Sequence, residues 1–563
     1  MARMPSNSRL CIASLRTWLQ NALLLQCFCW QIAYAGSRHV LAPDISSCHL
    51  PLGFPRGERP YDCCAPAPGY EPRLFRPTPS VEVAEAVQNS TVRREKVRPA
   101  TSSADASYAA KLARAYRLMK ALPPDDPRSF MQQANIHCAY CNTVYNQANS
   151  SQVFQVHHSW LFFPFHRWYL YFHERILARL LGDEYFALPF WNYDHPDGAS
   201  IPWFFSSRTS PFPELSDASR EPAHDMPATV ALDHNVDTES RSHIVQMREN
   251  ANTMYRALLR DASAPERFFG WPYRHDDPPM EHYGCGTVEL KPHNTVHDWV
   301  GNRSAVGLKD MGTFHLAAHD PLFYAHHAQI DRLWELWKAI PGHRDIDDDD
   351  YVNAEFLFYN EYGEMVRVKA GDASDLNLLG YRYEGVDTPW MHYVPDRRSA
   401  ARAKLNATHK LCVIGEDMLT APCSFTVARD PSVTKSSPWL EERLVLTMLF
   451  NQSQIKVDIY LNYPSVSSTA DTGCEEYLTD VSLTQADLHW DTDRDGGIGN
   501  KTVRIPITER LISLDLMEEH NIVVTLVPKT SPSLLSAGRI AMLDSFVEYA
   551  APYKRWTNED EES

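Results

Sequence analysis

Residues 156–181 read VHHSWLFFPFHRWYLYFHERILARLL. From about Pro164 to Leu181 this stretch predicts one strong, aromatic-rich helix carrying His166 and His173, with His157 and His158 just ahead of it. Two other segments have the same character. HCAYC (137–141) brings His137 into an aromatic setting, and HDPLFYAHHAQIDRLWELW (319–337) sets His326 and His327 in an apolar helix. There Asp320 is placed to cap the helix and Pro321 to open its first turn. An imidazole buried in such surroundings is costly without a partner, so these histidines call for one.

The segment PHNTVHDWVG (292–301) supplies the clearest spacing, with His293 and His297 at i, i+4 on one helix face within reach of a single metal. On a polar helix that spacing alone is ordinarily two exposed histidines; the apolar pair at 326–327 shifts the balance toward a metal. Two clusters of at least three histidines, from 24 in the chain, suit two metals in the core of a mainly helical bundle. Imidazole ligation accepts copper, zinc, iron or nickel, so spacing leaves the metal open.

A chain of 563 residues predicts at least two folded domains. Helical patterning begins near Ser107, where Tyr108, Leu112, Ala115, Tyr116 and Met119 recur at three- and four-residue spacing until Pro123 and Pro124. Further helices are expected around 245–260, 292–300 and 320–339, so the first domain, 36–390, is mainly α with a four-helix-bundle core. Residues 391–410, polar and basic, read as an exposed linker in which Arg397 and Arg398 mark a natural cleavage point for an activating protease. From 411 to 553, alternating stretches at Arg443–Phe450, Ile455–Asn462, Thr502–Ile507 and Asn521–Val527 predict a β-sandwich or jelly-roll-like domain. Residues 554–563 read as an acidic tail. The sequence DTDRDG from Asp491 resembles the start of a calcium loop, but Thr502 stands where a bidentate Glu is needed, so an acidic turn is the preferred reading.

The formal net charge of −17 argues against nucleic-acid or anionic-membrane partners, and no apolar run reaches membrane-spanning length. Residues 1–35 read as an export signal: Arg3, Arg9 and Arg16, an apolar run from Ala22 to Ile32, then Ala33-Tyr34-Ala35 as a cleavage site. A plastid transit peptide, leading to the thylakoid lumen, is the alternative. Sequons at Asn89, Asn149, Asn302, Asn406, Asn451 and Asn500 tilt the expectation toward a secreted glycoprotein. Three of the twelve cysteines (Cys11, Cys27, Cys29) fall in that leader, leaving nine. An odd number asks for one thiol with another task, and Cys141 is the candidate.

The stretches DDPRSFMQQANIHCAYCN (125–142), VHHSWLFFPFHRWYLYFHERIL, GTVELKPHNTVHDWVG (286–301), DPLFYAHHAQIDRLWELW, LGYRYEG (379–385) and IKVDIYLNY (455–463) closely resemble the plant polyphenol oxidases, the catechol oxidases and tyrosinases of the type-3 copper proteins. The resemblance runs in the family's order from about Cys48 to beyond Asn462. It implies two copper ions, one held by His137, His157 and His166 and the other by His293, His297 and His327, leaving His158, His173 and His326 in supporting places. It implies a thioether from Cys141 to His157 and disulfides Cys48–Cys64 and Cys63–Cys138. No pairing is implied for Cys285, Cys412, Cys423 and Cys474, although Cys412 and Cys423 are close enough in sequence to be joined. Phe314 matches an aromatic residue above one copper, and Glu289 with Asn294 matches a pair that fixes a water and helps take the proton of a monophenol.

The activity implied is oxidation of o-diphenols to o-quinones with O2 reduced to water, with monophenol hydroxylation left open by Asn294. Asp298, beside His297, adds a charge at a substrate-tuning position. Gln329 stands where the family usually has Asn and is expected to shift a hydrogen bond behind the metal. The resemblance further implies a C-terminal domain that covers the site until it is displaced. A haemocyanin-like dioxygen carrier is the rival; the single copper segment set and the Glu289/Asn294 pair favour the oxidase.

Overall fold

The computed structural model describes residues 37–50, 62–66, 68–77, 96–141, 143–233, 241–278, 284–302, 310–313, 316–395, 405–406, 409–415, 421–438, 440–450, 455–467, 472–483, 499–529 and 540–550. The leader, Arg397, Arg398, Phe314, most of the acidic loop from Asp491 and the tail lie outside these residues. Among the described residues, no helix is long and apolar enough to cross a membrane.

The N-terminal part is built on α1 (Ala106–Lys120), α2 (Phe130–Cys141), α3 (Phe162–Leu181), α4 (His243–Tyr255), α5 (Thr295–Val300) and α6 (Leu322–Lys338). Asp105 starts α1 by accepting the Tyr108 amide at 2.8 Å, and the helix buries Leu112, Ala115, Tyr116 and Met119, the face predicted from spacing. Gly182 ends α3 in the left-handed region, φ 68°, where a side chain would be strained. Asp320 accepts the Leu322 amide at 2.8 Å at the start of α6 and is also paired with the buried Arg220. The turn Glu289–Asn294 leads straight into α5 but is interrupted at Lys291, which is extended (φ −150°, ψ 131°) because Pro292 follows it.

Helices α2, α3, α5 and α6 enclose the histidine clusters. A buried charge group clamps α3 to α6: Arg167, next to His166, is paired with Asp331, four residues beyond His327. Arg98 joins both Asp331, at 3.1 Å, and Glu174, at 2.9 Å. A hairpin of β1 (Glu355–Tyr359) and β2 (Met365–Lys369) backs α3. The arm ahead of α1 is closed on itself by the disulfide Cys48–Cys64 and joined to α2 by Cys63–Cys138.

The C-terminal part is a sandwich of two antiparallel sheets. One has the order β7-β4-β9 and the other β3-β8-β5-β6, for β3 (Cys423–Ala428), β4 (Glu441–Phe450), β5 (Ile455–Leu461), β6 (Tyr477–Leu483), β7 (Gly499–Pro506), β8 (Asn521–Pro528) and β9 (Ile540–Ala550). Leu444, Leu446 and Met448 face Val457, Ile459 and Leu461 and Ile522, Val524 and Leu526 in one core, the two-residue period of a strand. Cys412 is bonded to Cys423.

The other face of β5, which alternation alone assigns to solvent, is buried instead: Lys456, Asp458 and Tyr460 lie against the helical part. Lys456 Nζ donates to the Asp233 carbonyl at 2.7 Å, Arg256 on the α4 side donates to the Leu478 carbonyl at 2.8 Å, and Lys291 is paired with Asp480 on β6. Burial alone would raise the Asp480 carboxyl, but the charges of Lys291 and Lys456 outweigh it and hold it well below the usual carboxylate range.

Candidate dinuclear metal centre

Four buried segments bring two groups of ligand atoms together: His137, Cys141, His157 and His166 in one, and His293, His297, His326 and His327 in the other, the atoms within each group lying within 4.8 Å of one another. The groups face each other, with the rings of His166 and His327 stacked at 4.3 Å. Phe162 and Phe323 wall the space, Phe162 edge-on to His293 at 4.7 Å and Phe323 at 4.1 Å from His327.

For three of the rings the hydrogen bonds decide which nitrogen is offered. His166 Nδ1 lies 2.8 Å from the Phe162 carbonyl, His297 Nδ1 2.7 Å from the Met311 carbonyl, and His293 Nδ1 2.8 Å from Asn294 Oδ1. A carbonyl oxygen only accepts, so each Nδ1 carries the hydrogen and each Nε2 keeps a lone pair. The Nε2 atoms of His293 and His297 are 3.1 Å apart, and each is 3.3 Å from His327 Nε2. The lone pairs of His293 and His297, 3.1 Å apart, repel unless a cation sits between them. Burial also pushes His166 down to about 3 and His297 down to about 4, so the rings are neutral and able to ligate near neutral pH. The buried His166 Nε2 has no hydrogen-bond partner and is directed into the same region. These residues fit a pair of copper ions.

Around the ligand groups, Gln155 Oε1 accepts the amides of Val156 and His157 at 2.9 and 3.0 Å, and its Nε2 donates to the Cys141 carbonyl at 3.1 Å. That fastens the His157 turn to the end of α2. The Cys141 thiol, pushed up by burial, lies in the first ligand group beside His157. Cys285 and Cys474, like Cys141, are not in disulfides. Glu289 is wholly buried; burial raises its carboxyl to about 8, against the opposing amide of His158, which donates to Oε1 at 2.7 Å. Asn294 is buried beside His293, with Oδ1 turned to that ring. Asp298 is half-buried. Gln329 Nε2 donates to Asp194 Oδ1 at 2.8 Å, and the same carboxylate takes Arg332 and the indole of Trp390. The longer side chain is therefore absorbed in a network on the far side of α6.

Two features escape the sequence. Cys285 approaches Glu289 through a bridge between Gly270 and Cys285, and no periodicity marks it. That bridge requires glycine at 286, where a Cβ would fall 2.0 Å from the Phe268 carbonyl oxygen. Gly286→Ala is expected to cost about 1–3 kcal/mol as the segment leading to Glu289 is pushed away. Chemical denaturation of the copper-loaded chain measures this; an unchanged midpoint contradicts the packing.

Three family models match in succession: the common central domain of tyrosinase over residues 127–340, the polyphenol oxidase middle domain over 345–396, and the chloroplastic polyphenol oxidase C-terminal domain over 418–541. The chloroplastic polyphenol oxidase of Malus domestica is 36% identical over 88% of this chain and 83% of its own. The chloroplastic (+)-larreatricin hydroxylase of Larrea tridentata is 38% identical over 88% of this chain and 83% of its own. The solved structure of latent apple tyrosinase superposes with a TM-score of 0.68 at 35% identity, covering 82% of this chain and 98% of that one. These matches overturn the secretory route read from the leader and sequons. The relatives are named chloroplastic and the matched C-terminal model is that of chloroplastic enzymes, so the plastid alternative fits better. Sequons occur by chance, and a transit peptide shares the Arg-rich, acid-poor composition of this leader. Sequence, fold and the two histidine groups agree: the chain belongs to the plant polyphenol oxidases of the type-3 copper family and is a copper-dependent oxidase with two copper ions in a dinuclear centre.

Proposed function

We propose that the chain oxidises o-diphenols to o-quinones, two catechols for each O2 reduced to two waters. The observation that carries this is the facing of the two histidine groups across a ring separation of 4.3 Å, so that two metals held there act on one substrate. In this reading His137, His157 and His166 hold one copper and His293, His297 and His327 the other. Bound copper supplies one-electron redox steps, which zinc in the same ligands could not. The protein's own contribution is to keep the rings neutral, to fix the tautomers of His166, His293 and His297, to wall the pocket with Phe162 and Phe323, and to lock His157 by a thioether from Cys141. Phe314 is assigned to the entrance from its sequence position.

Monophenol hydroxylation is the finer proposal, supported by Glu289, Asn294 and the hydroxylase relative. A phenol ionises near pH 10, so a base that takes its proton is useful. Burial raises the Glu289 carboxyl to about 8, so in its ionised form it is a stronger base than an exposed glutamate. We place the catalytic unit at 36–390, the linker at 391–410, where an activating protease cuts, and the covering domain at 411–553.

Oxygen uptake by the copper-loaded chain, with the C-terminal domain removed, tests the reading. Catechol is expected to be turned over; reversible O2 binding without turnover would indicate a carrier. Tyramine without a catechol primer is expected to be consumed, and Glu289→Gln to slow it by about 100-fold with a smaller loss on catechol. Equal losses on both substrates would remove Glu289 from the proton step.

A further inference from the structure

Beside the copper pocket, three side chains from separate segments converge. His158, Cys285 and Glu289 each offer one ligand atom, and these lie within 4.8 Å of one another. None of the three is used here to hold copper. Their backbone positions are tightly determined. His158 has φ +60°, a left-handed conformation that residues with side chains seldom adopt, and there its amide reaches Glu289 Oε1 at 2.7 Å. Cys285 is held in its bridge to Gly270, and the following Gly286 leaves no room for a side chain against Phe268. Leu290 donates its amide back to the Gly286 carbonyl at 2.9 Å, which fixes the turn from Cys285 to Glu289. Glu289 is buried, while His158 and Cys285 keep partial exposure, so the cluster is reached from their side.

An imidazole, a thiol and a carboxylate make a donor set suited to zinc, with bonds of about 2.0–2.3 Å and a fourth tetrahedral position left open. Tetrahedral ligands at those lengths stand about 3.3–3.8 Å apart, so no pair of the three has to close by more than about 1.0–1.5 Å. The thiol and the Glu289 carboxyl lose their protons to solvent on binding, and the thiolate favours a thiophilic ion over magnesium or calcium.

We infer that His158, Cys285 and Glu289 form a third metal site, taking Zn2+, and that filling it silences monophenol hydroxylation by occupying the Glu289 carboxylate. The silencing rests on Glu289 acting as proposed above; the site does not.

The test uses the full chain loaded with copper, its C-terminal domain then loosened by limited proteolysis, and treated with Zn2+. Metal analysis is expected to find one zinc beside two coppers. Alkylation of Cys285 by iodoacetamide, followed by peptide mass, is expected to slow at least tenfold with zinc bound. Cys285→Ser is expected to weaken zinc binding at least tenfold while copper stays at two. Unchanged alkylation, zinc gained only as copper is lost, or full zinc affinity in Cys285→Ser overturns the site. One zinc bound with Cys285 protected but tyramine oxidation undiminished confirms the site and overturns the silencing, and with it the role of Glu289.

Discussion

His327→Ala is expected to leave one copper per chain in place of two and to lower catechol oxidation by more than about 1,000-fold, because a ligand set that acts as a unit fails when one member is lost. His326→Gln, one residue away, is expected to retain both coppers. The two neighbours in α6 are both wholly buried and both belong to the second histidine group, so burial does not separate them. Geometry does. His327 Nε2 is 3.3 Å from the Nε2 atoms of both His293 and His297, and its ring stacks on His166 of the other group at 4.3 Å. His326 instead lies parallel to His293, ring centroids 5.4 Å apart and planes within 16°, and tilts toward Tyr193 at 5.7 Å. Copper content by atomic absorption and oxygen uptake with catechol decide the matter. Loss of copper from His326→Gln with His327→Ala unaffected would exchange the two assignments.

That pair also shows where sequence reading stops. Composition and aromatic context mark the HH dipeptide as special, but only packing, or a family resemblance, tells one histidine from the other. Helix α1 is legible from its buried stripe, whereas α6 is buried on all sides from Leu322 to Trp334 and is legible from its start, marked by Asp320 and Pro321. Helix α2 was not predicted as a helix: from Gln133 to Cys141 every residue is buried, so the pattern has no polar face to give it a period. Strand β5 was legible from alternation, yet its polar residues Lys456 and Asp458 are as buried as its apolar ones. Their burial depends on Asp233 and Lys291, more than 160 residues earlier in the chain, a partnership that no local pattern encodes. The Cys412–Cys423 bond, by contrast, was within reach of spacing alone.

Asp480→Ala in the full-length chain is expected to raise its catechol oxidation by about 100-fold or more without proteolysis. Asp480 on β6 is the acidic partner of Lys291, and Lys291 stands between Glu289 and His293, so this ion pair ties the C-terminal sandwich to the segment that carries the second histidine group. Both side chains are largely buried, with relative exposures of 15% for Lys291 and 4% for Asp480. Removing one partner leaves a buried ammonium uncompensated, which costs about 3–5 kcal/mol in comparable pairs. If the sandwich covers the site as proposed, that energy is lost from the closed arrangement alone, because an opened Lys291 is solvated. A loss of 3–5 kcal/mol shifts the balance of closed to open molecules by about 100- to 1,000-fold or more. Lys291→Met combined with Asp480→Leu removes both charges and keeps comparable volume, so it is expected to close the interface again and restore low activity. Three measurements accompany the assay: copper content, circular dichroism and the rate of cleavage within 391–410. Activation by the single variant, absent in the double one and with two coppers retained, identifies the ion pair as the latch. A well-folded, copper-loaded Asp480→Ala chain whose activity stays at the wild-type level would mean that this interface does not gate access to copper.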